Sequence, residues 1–195
     1  MRIPFLTAAF AALCLALPTT AQKIQGADGG VMRAETRLMV FTQDFSVFAM
    51  ASITHGQPEW KAKYDGMLDE LKGKTNRLGM DWFTTLITSS EFEIGGAKLA
   101  PGSYVVGLHC DKEGKFSLAF MDSTKAMKDG VNPFMDWKPE MVASLTLNKD
   151  AAAEAVALMT MTLKAEKDGA GKGTFTLAWG KHTLTAPCQL HAPKK

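Results

Sequence analysis

FEIGGAKLAPGSYVVGLHCDKEGKFSLAFM, residues 92–121, decides the fold. Phe92 and Ile94 alternate with Glu91 and Glu93, the period-two pattern of a half-buried strand. Gly95-Gly96 then supplies two residues that accept positive φ without a Cβ clash, as a tight reversal needs. In Leu99-Ala100-Pro101-Gly102, Pro101 fixes φ at the first central position of a turn, and Gly102 suits the second position of a type II turn. The run from Ser103 to Leu108 is β-branched and aromatic, which favours a pleated surface. A polar loop with Gly114 follows, and then Phe116, Leu118 and Phe120 alternate with Ser117, Ala119 and Met121. Three strands in succession are expected, and little in them is catalytic.

Working outward, the same signals recur. Residues 37–42 and 45–53 read as strands split by Gln43-Asp44, and 82–88 and 142–147 read as two more. Residues 159–164 alternate cleanly, so a strand is expected from about Val156 once the alanine run before it has ended, and 167–172 holds two glycines suited to a hairpin loop. A final hairpin is expected from 174–179 and 182–186 across the two-residue turn Gly180-Lys181. Residues 58–72 read as the one clear helix. Pro58 fits its first turn, Gly73 its stop, and Trp60, Tyr64, Met67, Leu68 and Leu71 fall on one stripe. Its mixed-charge polar face points to packing onto the sheet, capping one edge or mouth. A single helical turn around Lys125-Ala126-Met127 is allowed within the long connection 123–139. The sum is an all-β fold: a mostly antiparallel β-sandwich or flattened barrel of about eight strands with one amphipathic helix packed against it. One domain over residues 31–195 accounts for the chain, without tandem repeats.

Residues 1–21 read as a secretory signal peptide: Arg2, an apolar run from Ile3 to Leu17, then small residues before Gln22. That run is short for a bilayer span and is broken by Pro18, and Cys14 lies inside it rather than at a lipidation site. Residues 22–30 are polar and glycine-rich, a flexible lead-in. The formal charge of +2 falls to +1 once Arg2 leaves with the leader, which gives no electrostatic case for nucleic acid. No transmembrane segment is expected in the mature chain. Apolar residues at 46% and charged residues at 22% sit near the globular average, so disorder is not indicated. A periplasmic or extracellular address leaves Cys110 and Cys188, an even pair in an oxidising compartment, and a disulfide between them is expected. The alternative is two buried thiols too far apart to bridge.

The chemistry-bearing motifs of common hydrolases, zinc proteases and nucleotide binders are missing from the sequence. His109-Cys110 and Cys188-x-x-His191 could meet as a mixed metal site, but a disulfide and two surface histidines explain the same letters. Metal and cofactor are both expected to be none. A Cys110–His109 nucleophile would require a thiolate that export disfavours. The remaining candidate is Arg77-Leu78-Gly79-Met80-Asp81-Trp82, just before a strand, with a second Met-Asp-Trp at residues 135–137. Tryptophan beside a carboxylate suits stacking and hydrogen bonding to sugar rings. A ligand face of Arg77, Asp81, Trp82 and Trp137 is the expectation, with carbohydrate or another envelope protein as partner. The simpler reading is an Arg77–Asp81 ion pair beside a buried Trp82.

Ile94-Gly95-Gly96-x-x-Leu99-x-Pro101-Gly102-x-Tyr104 resembles the central motif of the DUF2911 family, close to I-x-G-x-x-L-x-x-G-x-Y. Gly56-Gln57-Pro58-x-Trp60-Lys61 and Leu177-Ala178-Trp179-Gly180 followed by Ala186-Pro187 extend the resemblance over nearly the whole mature chain. The resemblance implies a secreted or periplasmic β-sandwich of unknown function and supplies no active site. Where many members carry Arg-x-Gly-Ala-Asn-Glu, this chain keeps Arg77 and Gly79 but has Asp81-Trp82 for the Asn-Glu pair. The expectation is a noncatalytic binding or structural module of the bacterial cell envelope. Two alternatives stand beside it: a hydrolase or isomerase with a site near Arg77 and Asp81, and a subunit of an envelope assembly.

Overall fold

The computed structural model describes residues 33–193 apart from Asp65, Asp150 and Asp168. The expected leader and lead-in, residues 1–30, lie outside the described residues. Among the described residues, thirteen strands form two antiparallel sheets. The first contains β1 (Arg33–Phe41), β2 (Phe48–Gly56), β4 (Thr84–Thr88), β7 (Gly102–Cys110), β8 (Phe116–Asp122) and β9 (Met141–Ser144) in that order, with β3 (Lys74–Arg77) also paired to β7. The second runs β11 (Val156–Ala165), β12 (Lys172–Gly180), β13 (His182–Leu190), β5 (Phe92–Ile94), β6 (Ala97–Leu99), with β10 (Thr146–Asn148) on β13. The all-β sandwich reading therefore holds. The strand number exceeds the expected eight because several runs are divided between the sheets.

Residues 142–147 show how. β9 pairs with β8 in one sheet, the chain crosses at Leu145, and β10 pairs with β13 in the other. The quoted stretch crosses too. Gly95 and Gly96 both take positive φ, 51° and 85°, and close the β5–β6 hairpin as expected. The expected type II turn at Pro101-Gly102 does not form. Gly102 is instead the first residue of β7, opposite Thr88, so the Pro-Gly pair carries the chain from one sheet to the other. Tyr104 Oη donates to Ala100 O at 2.8 Å and ties that crossing down.

Inward side chains follow the period of two. Leu38, Ile53, Leu86, Val106, Leu118 and Phe120 from one sheet meet Phe92, Ile94, Leu163, Phe175 and Leu190 from the other. Each such side chain contributes on the order of 1.5–3 kcal/mol relative to exposure, an upper figure because unfolded chains already bury some surface. The two sheets also touch along their edges. Leu163 N–H donates to Thr36 Oγ1 at 2.9 Å and Met161 N–H to His55 Nε2 at 3.3 Å, so side chains of β1 and β2 cover backbone donors of β11.

Residues 58–72 are not a helix. They contain two short 3-10 turns, Ala62–Tyr64 and Met67–Asp69. Trp60 N–H is committed to Ala157 O, and Met159 N–H donates back to Pro58 O, so the segment begins as a strand-like bridge to β11. Gly66 then interrupts the middle, at about 1 kcal/mol against a helix interior. The single α-helix among the described residues is α1 (Ser123–Lys128), where a lone turn was allowed. Asp122 caps it by accepting from Lys125 N–H at 2.9 Å.

Cys110 and Cys188 are both free and buried. The expected bridge is absent because they point into the core from opposite sheets and different places along it. Cys110 pairs with Phe116, at the end of the sandwich that also holds Leu184. Cys188 lies on β13 between Gly173 and Ile94, and its thiol is not joined to Cys110.

Candidate functional site

Of the four expected site residues, Arg77, Asp81 and Trp82 lie at the end of β3 and in the loop after it, Trp137 lies between α1 and β9, and the four do not make one face. β3 and β4 lie end to end along one side of β7: Arg77 opposes Gly107 and Thr84 opposes Val106. Residues 78–83 loop out between these two neighbouring positions. The Arg77 guanidinium stacks over Phe134, 4.4 Å from the ring centre, and Nη1 donates to the backbone carbonyl of Asp81 at 3.3 Å. The expected side-chain ion pair is replaced by this backbone contact. Asp81 itself takes positive φ, 70°, a conformation aspartate tolerates better than most residues. Trp82 is 49% exposed, edge-on to Phe83, rather than buried.

Trp137 is the clear departure. It is packed with Phe83, Val105, Ala119, Met121 and Ala126 in a second cluster on the outer face of the first sheet. A Cβ at Gly107 would come within 2.6 Å of its ring, so the missing side chain at Gly107 is what admits it. Asp136 beside it accepts from Thr75 N–H at 2.9 Å and fastens the loop to β3. Trp137 thus secures a covering loop and offers no ligand a surface.

A feature that sequence reasoning missed is a cavity of about 320 Å³ between the sheets. Its floor is built from Leu108 and Phe116 on one side and Met159, Leu177 and Leu184 on the other. Its roof is residues 58–72: Pro58, Trp60, Tyr64, Met67, Leu68 and Leu71 all line it. These include every residue of the apolar stripe that suggested a helix. The stripe was legible, and so was its role at the mouth of the sandwich; the backbone that presents it was not.

The roof is fastened by aromatic packing. Trp60 and Trp179 meet edge to face at 5.0 Å between ring centres, Tyr64 lies 5.0 Å from Trp179, and His182 is edge-on to Trp60 at 5.9 Å. Trp179 Nε1 donates to Pro58 O at 2.9 Å. Gly180 lets this happen: a Cβ there would lie 2.5 Å from the Trp60 indole. One polar side chain on the floor stands out. Asn76 opposes Leu108 on β3 and lines the cavity, and its Nδ2 is buried with no hydrogen-bond partner.

The titratable groups elsewhere have structural partners. His55 is buried with Nδ1 against Gly56 O at 3.1 Å and Nε2 accepting from Met161, and burial holds its pKa below the usual value. His109 Nδ1 pairs with Thr75 Oγ1 at 3.0 Å. Burial pushes the Cys110 thiol up, and pushes Cys188 up to about 11, so neither is a thiolate nucleophile at neutral pH. His191 does not join the cysteines; it meets Glu91 and Glu93, with one potential ligand atom from each within 4.8 Å of the others. Lys98 Nζ already sits 3.1 Å from Glu93 Oε1 and holds that carboxyl below its ordinary range, so the cluster is satisfied as an ion-pair network.

The chain matches no protein-family model, no curated protein and no solved structure. Function is therefore read from the geometry of the site. That geometry has the attributes of a small-molecule site: a partly open, mostly apolar cleft at the lower end of the ~300–1,000 Å³ range, with aromatic walls and few polar groups.

Proposed function

We propose that the protein is an exported, noncatalytic binding module of the bacterial cell envelope that holds one small apolar molecule between its sheets. The observation that carries the reading is the cavity under residues 58–72. Well-packed interiors leave few voids larger than a water, so an apolar volume of this size supports a receptor over a packing fault. The export half rests on the sequence of residues 1–21 and on the resemblance to the DUF2911 family. A sugar is a poorer occupant than first expected, because its hydroxyls would meet a mostly apolar wall. Native mass spectrometry of the protein recovered from the producing cells tests both halves. The reading expects a chain without its leader that takes up one hexanophenone molecule and loses it on denaturation. A retained leader contradicts export; a mass that stays bare in excess hexanophenone contradicts binding.

A second reading, a subunit of an envelope assembly, is favoured by one observation. Phe41, Phe45 and Phe48 are all exposed at one end of the β1–β2 hairpin, with Phe41 and Phe45 stacked at 5.3 Å. Exposed aromatic groups of this kind mark protein contacts more often than chance. If they do so here, Phe45→Ser with Phe48→Ser releases a partner that co-purifies with the wild type; a wild-type protein that purifies alone counts against the reading.

A further inference from the structure

Side chains alternate along β3. Thr75 and Arg77 turn to the outer face, where one meets His109 and the other Phe134. Asn76 lies between them and turns inward, opposite Leu108, and both line the cavity. Among the described residues, two buried side-chain donors lack a hydrogen-bond partner, Asn76 Nδ2 and Trp137 Nε1. Trp137 belongs to the outer cluster. Asn76 is thus an unpaired donor within the cavity wall, its Nδ2 covered from solvent. A buried amide donor is stable in an apolar wall only when something supplies an acceptor.

The surroundings narrow what that acceptor is. Among the described residues no carboxylate lines the cavity, so a cationic ligand would find no counter-charge in them. No lysine among the described residues lines it, and its two basic lining residues are engaged by aromatic rings, Arg77 over Phe134 and His182 against Trp60, so neither is turned to an anion. An ion without a partner is far costlier to bury than a neutral polar group. A pure hydrocarbon would leave Asn76 unpaired. Resting on the cavity's role as a small-molecule site, we propose that the ligand is a neutral apolar molecule carrying a carbonyl- or ether-type oxygen, and that Asn76 Nδ2 donates to that oxygen.

A matched pair of ligands tests this. Hexanophenone and hexylbenzene differ by a carbonyl in place of a methylene, and each competes against the fluorescent probe N-phenyl-1-naphthylamine. In Asn76→Leu, the preference for the ketone over the hydrocarbon falls about ten-fold relative to wild type, the size of one buried hydrogen bond. The wild-type protein gives a second readout that needs no variant: the Asn76 side-chain amide proton resonance moves downfield with hexanophenone and stays in place with hexylbenzene. An unchanged preference in Asn76→Leu, or an unmoved amide resonance in wild type, overturns the assignment while leaving the cavity as a binding site. A wild-type protein that takes up neither probe nor ketone removes the binding reading, and this inference with it.

Discussion

The His55 imidazole accepts a hydrogen bond from the Met161 N–H at 3.3 Å and so joins β2 of one sheet to β11 of the other. With Nδ1 against Gly56 O, the ring works in its neutral form, one nitrogen donating and the other accepting. Protonation would turn the acceptor into a second donor facing an N–H. The contact therefore opposes charging, in the same direction as burial.

Stability should consequently fall with pH. His55 titrates below its ordinary value of 6.5 in the folded chain, so between the two values the unfolded chain binds more protons. Stabilisation is complete above pH 6.5 and is lost as the pH falls from there towards the folded value, at no more than about 1.4 kcal/mol per pH unit. Urea unfolding at a series of pH values measures it. His55→Gln should flatten the profile below pH 6.5; an equally steep profile in that variant would mean that another group is responsible.

Gly180 should be intolerant of any side chain. Its φ is +60° and the Trp60 indole fills the place of a Cβ. Gly180→Val is expected to cost about 1–3 kcal/mol and to loosen residues 58–72 over the cavity. Limited proteolysis reads the second effect, with new cleavage after Lys61, Lys63 or Lys72 ahead of global unfolding. A variant with wild-type stability and no such cleavage would show that Trp60 does not hold the roof.

Both thiols should be silent in the native protein. They are buried, unbridged and held protonated. A thiol reagent is expected to label Cys110 and Cys188 only on unfolding, and without prior reduction. A mature chain lighter by the hydrogens lost on oxidation would restore the disulfide in place of the free thiols.

Much of this architecture was legible because strand periodicity and turn chemistry are local. Gly95-Gly96, Gly180-Lys181 and the strand from Val156 form where the residues said they would, with a register shift between Val156 and Thr160 before the clean alternation begins. What was hidden depends on contacts distant in sequence. Trp60 is drawn into a bridge with β11, so a stripe with helical spacing is presented by 3-10 turns. Trp137 is taken into packing by a glycine thirty residues earlier, which turned an expected ligand-facing ring into a wedge. Asn76 carried no motif at all: an asparagine within Lys74–Arg77 reads as an ordinary surface position until its register opposite Leu108 is known. Cys110 and Cys188 had the right count and compartment for a bridge, but separation across the sandwich cannot be read from spacing.

The central claim is that the space beneath residues 58–72 is a binding site. It is tested most directly by titrating N-phenyl-1-naphthylamine into the wild-type protein and into Leu68→Trp, in which a larger ring from the roof occupies the space. The account predicts saturable one-to-one enhancement of probe fluorescence in wild type and its loss in a Leu68→Trp protein that remains folded. Probe fluorescence that never saturates, or that is the same in both proteins, would contradict it.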